Sequence, residues 1–287
     1  IPLVREKLAL TIGSKLEHNN YTGFEVQPSA RLLWRRTPGQ AFWVSISRAV
    51  RTPSRLDEDI QLTDFASVAP PIDFRVIGDG QFFSEELIGY EAGYRTQVTP
   101  HVYLDLALFH NDYNYLESFQ MASPFLETSP QPVHAILPLL IRNGTKGTTN
   151  GFEVAPDWKP TSWWELKASY SYLNMDLERR PGSNDPITVL TDEESSPRNQ
   201  VTVQSFLDLP KRFEFDQTYR FVSALPAQRV GSYGTADARF GWRPTRYLEL
   251  SVAGQNLLQP YHAEFGGDTG PLVEIKRSAY GKITFRW

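Results

Sequence analysis

The chain has 287 residues, of which 40% are hydrophobic and 13% aromatic, with a formal net charge of −4 and no cysteine. The charge gives no long-range pull toward nucleic acid. The lack of cysteine excludes disulfides and thiolate-bound metals, and without a run of about 18 apolar residues no bilayer-crossing helix is expected. The first residues, Ile1-Pro2, bring neither Met nor a signal peptide and lead straight into a strand pattern, so a fragment of a longer chain is expected.

Leu8, Leu10, Ile12 and Leu16 alternate with Ala9, Thr11, Lys15 and Glu17, the two-residue period of a strand with one oily and one wet face. After the polar turn His18-Asn19-Asn20 the return strand sets Ala30, Leu32 and Trp34 against Ser29, Arg31 and Arg35. Thr37-Pro38-Gly39 turns the chain into a third strand, with Phe42, Val44 and Ile46 on one face. Residues 51–84 are polar and show no sustained period. Ile88, Tyr90, Ala92 and Tyr94 then mark a strand, followed by Leu104, Leu106 and Leu108 across the Thr99-Pro100 turn. A Pro- and Ser-rich loop is read over 119–138. Phe152, Val154 and Trp158 end a long, less regular strand, and Leu166, Ala168, Tyr170 and Tyr172 return beyond Pro160-Thr161. The loop 178–197 carries Asp192-Glu193-Glu194. Four more strands follow, with apolar rows Val201–Val203–Leu207, Phe213–Phe215–Tyr219–Phe221, Ala236–Ala238–Phe240–Trp242 and Leu248–Leu250–Val252. A loop with Gly266, Gly267 and Gly270 leads to the last strand, where Ile283, Phe285 and Trp287 oppose Lys282, Thr284 and Arg286.

This pattern predicts an all-β chain, an antiparallel meander of about twelve strands with short turns at one end and longer loops at the other, the signature of a transmembrane β-barrel. Tryptophan sharpens the reading. Trp34, Trp43, Trp158, Trp163, Trp164, Trp242 and Trp287 all fall at the short-turn end, where an interfacial aromatic belt belongs. Charges such as Glu91, Arg95, Asp105, Glu153, Asp216, Arg239 and Glu249 fall opposite the apolar rows. A dry sandwich core makes such a face costly, whereas a hydrated lumen does not.

Several strings carry a family resemblance. YTGFEVQPSARLLW from Tyr21, SRAVRTPSR from Ser47, ELIGYEAGYR from Glu86, NGFEV from Asn150, GQNLLQPYHAEF from Gly254 and the closing RSAYGKITFRW occur in an order that resembles TonB-dependent outer-membrane receptors over nearly the whole chain. Ala279 is small where that family often carries an aromatic. The resemblance implies the C-terminal part of a barrel of about 22 strands, spanning residues 1–287, with the plug domain and earlier strands absent. It further implies active uptake of a scarce ligand, above all a ferric siderophore, in the outer membrane of a Gram-negative bacterium. Energy would arrive from TonB through the plug, lipid would surround the barrel, and the C-terminal strand would engage the barrel-assembly machinery. No cofactor, resident metal or nucleic-acid partner is implied, and a passive porin or other substrate-specific channel is the alternative.

Candidate ligand contacts are Arg48, Arg51 and Arg55, basic residues at the entry to the first long loop that suit an anionic chelate, and the aromatics Phe82, Phe83, Tyr113, Tyr115 and Phe119 near external strand ends. For the arginines, pairing with Asp57, Glu58 and Asp59 is the structural alternative; for the aromatics, it is an outer girdle. Asp192-Glu193-Glu194 reads as a calcium loop or a solvated acidic one. The five histidines, His18, His101, His110, His134 and His262, show no metal-ligand spacing, and Ser45 and Ser47 have no His partner at their depth. No enzyme is expected.

Overall fold

The computed structural model describes residues 2–4, 7–68, 70–78, 80–266 and 272–287. In chain order the elements are β1 (Pro2–Val4), β2 (Leu8–Asn19), β3 (Gly23–Thr37), β4 (Gln40–Arg51), α1 (Arg55–Asp59), β5 (Gln61–Val68), β6 (Pro71–Ile77), β7 (Glu85–Thr99), β8 (Val102–Met121), β9 (Phe125–Glu127) and β10 (His134–Thr161). They continue with β11 (Trp164–Arg179), α2 (Thr188–Glu193), β12 (Asn199–Leu209), β13 (Phe213–Val222), β14 (Tyr233–Trp242), β15 (Leu248–Gln255), β16 (Tyr261–Phe265), β17 (Val273–Lys276) and β18 (Ser278–Phe285).

One sheet runs β1-β2-β3-β4-β7-β8-β10-β11-β12-β13-β14-β15-β18, a meander through twelve strands of eight residues or more plus the short β1. Neighbours along this path are antiparallel, and among the described residues the two end strands do not pair with each other, so the sheet is open.

The register turns alternation into two faces. Val203 lies beside Tyr219, Phe215 beside Phe240, Phe240 beside Val252 and Leu250 beside Ile283. These residues form an apolar face that nothing in the chain covers; Val252 is 64% exposed. The alternate residues carry the charges, and those charges pair across strands. Arg95 reaches Asp105 at 2.8 Å, and Arg239 meets Glu214 at 3.0 Å and Asp216 at 2.8 Å. Glu249 gathers Arg239 at 2.5 Å, Arg243 at 3.3 Å and Arg286 at 2.8 Å, which ties the last residues of the chain to the polar face. A single-layer sheet has no interior of its own. The buried apolar side chains are accordingly few, and Phe82, Ile136, Ile141, Leu177, Leu225 and Val230 lie in or near the long loops, where segments fold over one another.

Along β3 the apolar row runs from Trp34 back to Phe24, ten positions (34 − 24). At a rise of about 3.3 Å and a tilt of about 40° this spans about 25 Å, the height of a barrel's lipid-facing band. Its lower rim is aromatic. Trp34 stacks on Phe42 and Phe42 on Tyr94, with centroids 5.4 and 4.4 Å apart, while Trp164 contacts both Trp158 and Trp163, and Trp242 stacks on Phe213. Trp287 follows β18, fully exposed. Trp43 departs from these six. It shares their height but lies on the polar face, 8% exposed, pressed between the Arg31 guanidinium, 4.2 Å from its ring, and the backbone of Gly93. A Cβ at residue 93 would enter the indole, so glycine there is a packing requirement. Gly151 makes the same allowance for Phe109.

Connections 38–39, 100–101, 162–163, 210–212 and 243–247 are short and share one end of the sheet; 52–84, 122–133, 180–198, 223–232 and 256–277 share the other. The turn 20–22 breaks the expected segregation, being short at the long-loop end. Two segments read as irregular are ordered. Residues 51–84 hold α1 and the β5–β6 hairpin, and much of 119–138 is ladder, since β8 runs to Met121 and β10 begins at His134. β10, 28 residues long, overshoots the meander and carries β9 on it antiparallel and β6 parallel. That parallel pairing, from Ala135↔Ile72 to Leu140↔Ile77, departs from the expected all-antiparallel order. In β6, Ile72, Phe74 and Val76 do alternate with Asp73 and Arg75, but the run is too short to stand out within 51–84, and its partner strand β10 lies far along the chain. Gly267 and Gly270 lie outside the described residues, while β16 and β17 pair as a hairpin around them.

Candidate functional site at the long-loop end

Arg51, the last residue of β4, stands opposite Glu85 and grips it through two nitrogens at 2.6 and 2.9 Å. The same guanidinium reaches Glu117 at 2.9 Å and Asp57 at 3.2 Å. Asp57 is fixed by its own chain, because it closes a capping box with Ser54 at the start of α1. Phe82 lies under Arg51, 5.2 Å from the guanidinium and only 4% exposed, so it packs the loop and offers no ring face to solvent. Burial raises the Glu117 carboxyl above the ordinary range, and Arg51 offsets this only in part.

Arg48 sits where β3 and β4 part above the Ser29↔Ser47 pair. It spans that gap by donating to the Val26 carbonyl at 2.6 Å and to Glu86 at 2.7 Å. Arg55 is exposed on α1 and meets Asp59 at 3.3 Å. All three candidate arginines are therefore already in ion pairs. Among the aromatics, Tyr113 stands opposite Leu87 and Gly147 within the sheet. Tyr115, at φ 60°, marks a bulge in β8 and lies under Arg180, 3.9 Å away. Phe83 is 59% exposed. The Phe119 N–H donates to Asp185 at 2.7 Å.

These residues frame two clefts. One, of about 620 Å³, is lined by Glu25, Glu58, Glu86, Phe82, Phe83 and Tyr115, among others. The other, of about 600 Å³, lies between Arg51, Glu85 and Glu117 on one side and Thr188, Thr191 and Asp192 on the other. The loop 180–198 is held there by Asp185, which accepts from the N–H groups of Phe119, Ile187 and Thr188 and from the Thr188 hydroxyl. Burial works against ionisation of Asp185, but these four bonds outweigh it and hold the carboxyl below its usual range. Asp192 moves the other way, raised first by burial and then by Asp185 and Glu85.

The acidic triplet does not gather into a metal site: Glu193 accepts the Leu177 N–H at 2.5 Å, and among the described residues no cluster of His, Asp and Glu could hold a metal ion. His18 packs on Phe24, His110 on Tyr90 and Asn150, and His134 beside Asp73 and Glu127.

Sequence reasoning missed two features. Asn143, in the middle of β10, reads as an ordinary polar strand residue; its role appears only when Phe83, 60 positions away, is brought against it. A third cleft, of about 450 Å³, lies on the polar face between Arg220, Asp237 and Tyr233 of the sheet and Glu264 and Ile275 of the β16–β17 hairpin. The alternation of strands β13 and β14 had marked Arg220 and Asp237 as polar-face residues, but not the hairpin that closes over them.

The sequence matches the family model described as TonB dependent receptor-like, beta-barrel, over residues 1–257. Among solved structures the chain is similar to the siderophore receptor PirA from Acinetobacter baumannii, with a TM-score of 0.75 at 13% identity over 99% of this chain and 44% of that one. A variant of the ferric enterobactin receptor PfeA from Pseudomonas aeruginosa gives 0.73 at 16%, over 99% and 43%, and PirA from Pseudomonas aeruginosa gives 0.67 at 17%, over 99% and 46%. At these identities the likeness speaks to fold, and the chain spans less than half the length of each of these receptors. No curated protein matches the sequence. The chain belongs to the TonB-dependent receptor family, as part of its β-barrel.

Proposed function

We propose that this chain is the C-terminal part of an outer-membrane active-transport receptor of a Gram-negative bacterium. It takes up a ferric siderophore or a similar scarce chelate, with energy delivered by TonB through a plug encoded upstream. The observation that carries this reading is the family match over residues 1–257, together with a twelve-strand fold that aligns with a siderophore receptor over 99% of the chain. One solved PfeA variant is in complex with enterobactin, which supports an iron chelate as the ligand class. Under this reading the apolar face meets lipid, and the six outward tryptophans form the periplasmic-side belt. The polar face lines the lumen, and β18 is the strand offered to the barrel-assembly machinery.

Ligand contact at the rim then falls to Phe83 and Tyr115, which line the first cleft. Arg48, Arg51 and Arg55 shape the rim through their carboxylate partners, and Phe82 and Tyr113 support it. The test is growth of a deletion strain on a panel of iron sources, with uptake of labelled ferric siderophores and of cobalamin as the readout. Restoration of iron uptake by the intact gene, dependent on TonB, is the expected result. Growth and uptake that are indifferent to the deletion for every source would overturn the reading.

A further inference from the structure

The third cleft is chemically specific. Asp237 is engaged through both oxygens: one accepts from Arg220 at 2.9 Å and the other from the Asn256 N–H at 2.9 Å. Arg220 uses a single terminal nitrogen for that bond, and among the described residues its other N–H groups meet no acceptor. The Tyr233 hydroxyl likewise has no hydrogen-bond partner among the described residues. A phenol is protonated at neutral pH, so this hydroxyl is a donor there. Behind it His262 is buried, its ring 4.7 Å from Tyr233 and its Nε2 3.0 Å from one oxygen of Glu264, whose other oxygen has no hydrogen-bond partner among the described residues. The cleft thus presents two kinds of unused donor opposite one unused carboxylate acceptor, held on a rigid sheet and a hairpin.

Its charge balance is one cation against two carboxylates, Arg220 against Asp237 and Glu264. The other two clefts lean the same way. The first is lined by Glu25, Glu58 and Glu86, with Arg48 paired to Glu25 and Glu86, and the second sets Arg51 against Glu85, Glu117 and Asp192. A polyanionic ligand would approach all three against the local potential.

We propose that the cleft between Arg220, Tyr233 and Glu264 is a ligand subsite, and that the ligand it serves is a neutral or cationic ferric chelate of the hydroxamate type rather than an anionic catecholate. This rests on the uptake reading above. Hydroxamate and amide oxygens accept from the Tyr233 hydroxyl and the Arg220 guanidinium, and a pendant ammonium or amide N–H meets the free oxygen of Glu264.

The experiment uses the whole receptor, purified from outer membranes. Binding of three probes is measured by quenching of intrinsic fluorescence: a neutral ferric trihydroxamate, a cationic one bearing a free amine, and ferric enterobactin. Tight binding of the hydroxamates and weak binding of ferric enterobactin is the expected order. Tyr233→Phe should weaken hydroxamate binding about five-fold, the worth of one neutral hydrogen bond. Glu264→Gln should lower the preference for the cationic over the neutral chelate while leaving the neutral one bound. Preferential binding of ferric enterobactin, or hydroxamate binding indifferent to both substitutions, would overturn the inference and leave the uptake reading standing. Failure to bind or transport any ferric chelate would overturn both.

Discussion

Asn143 pairs with Phe83 as one strand pairs with another. Its Oδ1 accepts the Phe83 N–H at 2.6 Å, and its Nδ2 donates to the Phe83 carbonyl at 3.0 Å and to the Tyr115 carbonyl at 2.6 Å. A side-chain amide carries a donor and an acceptor in the geometry of a peptide group, so it can close a ladder where the backbone has run out of partners. This joint returns the long connection 52–84 to the sheet just before β7 begins.

Removing that amide should loosen the connection without breaking the barrel. Asn143→Ala leaves buried donors and acceptors of Phe83 and Tyr115 unmet, at a cost of about 2–3 kcal/mol. The expected outcome is faster proteolytic cleavage within 52–84 in the whole receptor, with the heat-modifiable mobility of the folded barrel preserved. Asn143→Asp keeps the acceptor but sets a buried carboxylate against the two carbonyls that Nδ2 served, and should be cleaved at least as fast as Asn143→Ala. Cleavage rates equal to wild type would show that the joint does not hold the loop.

The loop 180–198 carries carboxyls whose responses to pH oppose one another. Asp185 is held below its usual range by its four donors, so its contribution to loop stability is complete above the unfolded-chain value of about 3.9 and fades as pH falls through the lower, folded value. Glu117 and Asp192 are raised, first by burial, so their contribution is complete when they are protonated and fades as pH rises through their folded values. Docking of α2 against β8 should therefore be tightest in mild acid and weaker on both sides. Amide protection at Phe119 and Thr188 across this range is the measurement. Asp185→Asn should flatten the acid limb alone, and a profile that rises steadily toward pH 8 would contradict the assignment.

Trp43 and Gly93 are locked together, because any side chain at residue 93 enters the indole. Gly93→Ala forces Trp43 off the wall and from under Arg31, an overpacking cost of about 1–3 kcal/mol. The double substitution Trp43→Ala with Gly93→Ala should recover part of that loss, which is the mark of direct contact in a mutant cycle. Additive losses measured by thermal unfolding in detergent would argue that the two residues act independently.

How much of this was legible follows from where the physics is local. The twelve-strand path was readable because each strand alternates on its own: Phe215 and Asp216, or Val252 and Ser251, reveal their faces without any partner. The height of the tryptophans was readable for the same reason, since each sits within a few residues of a short turn. The side Trp43 faces followed from strict alternation with Phe42 and Val44, but the belt pattern took precedence over parity there. The architecture of the long-loop end was not legible. The parallel pairing of β6 with β10, the reach of Arg51 to Glu85 and Glu117, and the closure of β16–β17 over Tyr233 all join residues far apart in the chain. Single-sequence periodicity carries no information on such contacts. For the arginines at the loop entry, the local pairs Arg51–Asp57 and Arg55–Asp59 fall within the alternative the sequence offered, whereas the partners Glu85, Glu86 and Glu117 are distant in the chain.

The assignment of faces makes a prediction that a soluble sheet would not share. Val252 and Ser251 are adjacent in β15; Val252 lies with Phe240 on the apolar face, and Ser251 lies opposite Lys282 and Gly241 on the polar one. Under the outer-membrane placement proposed above, Val252→Arg puts a guanidinium into hydrocarbon near the middle of the band, costing about 2–4 kcal/mol. Ser251→Arg puts the same group into a hydrated lumen, where water and mobile ions screen it from Lys282 opposite. In the whole receptor, Val252→Arg should lower the folded, heat-modifiable fraction in outer membranes, and Ser251→Arg should leave it near wild type. A soluble sandwich with its apolar face buried would also reject Val252→Arg, so the solvent of that face is read separately, from quenching of the outward tryptophans by brominated lipid. Trp242 and Trp158 should be quenched by lipid brominated near its headgroups, while Trp43, which lies on the polar face, should not. Quenching of Trp43 equal to that of Trp242 would reverse the assignment of lumen and lipid.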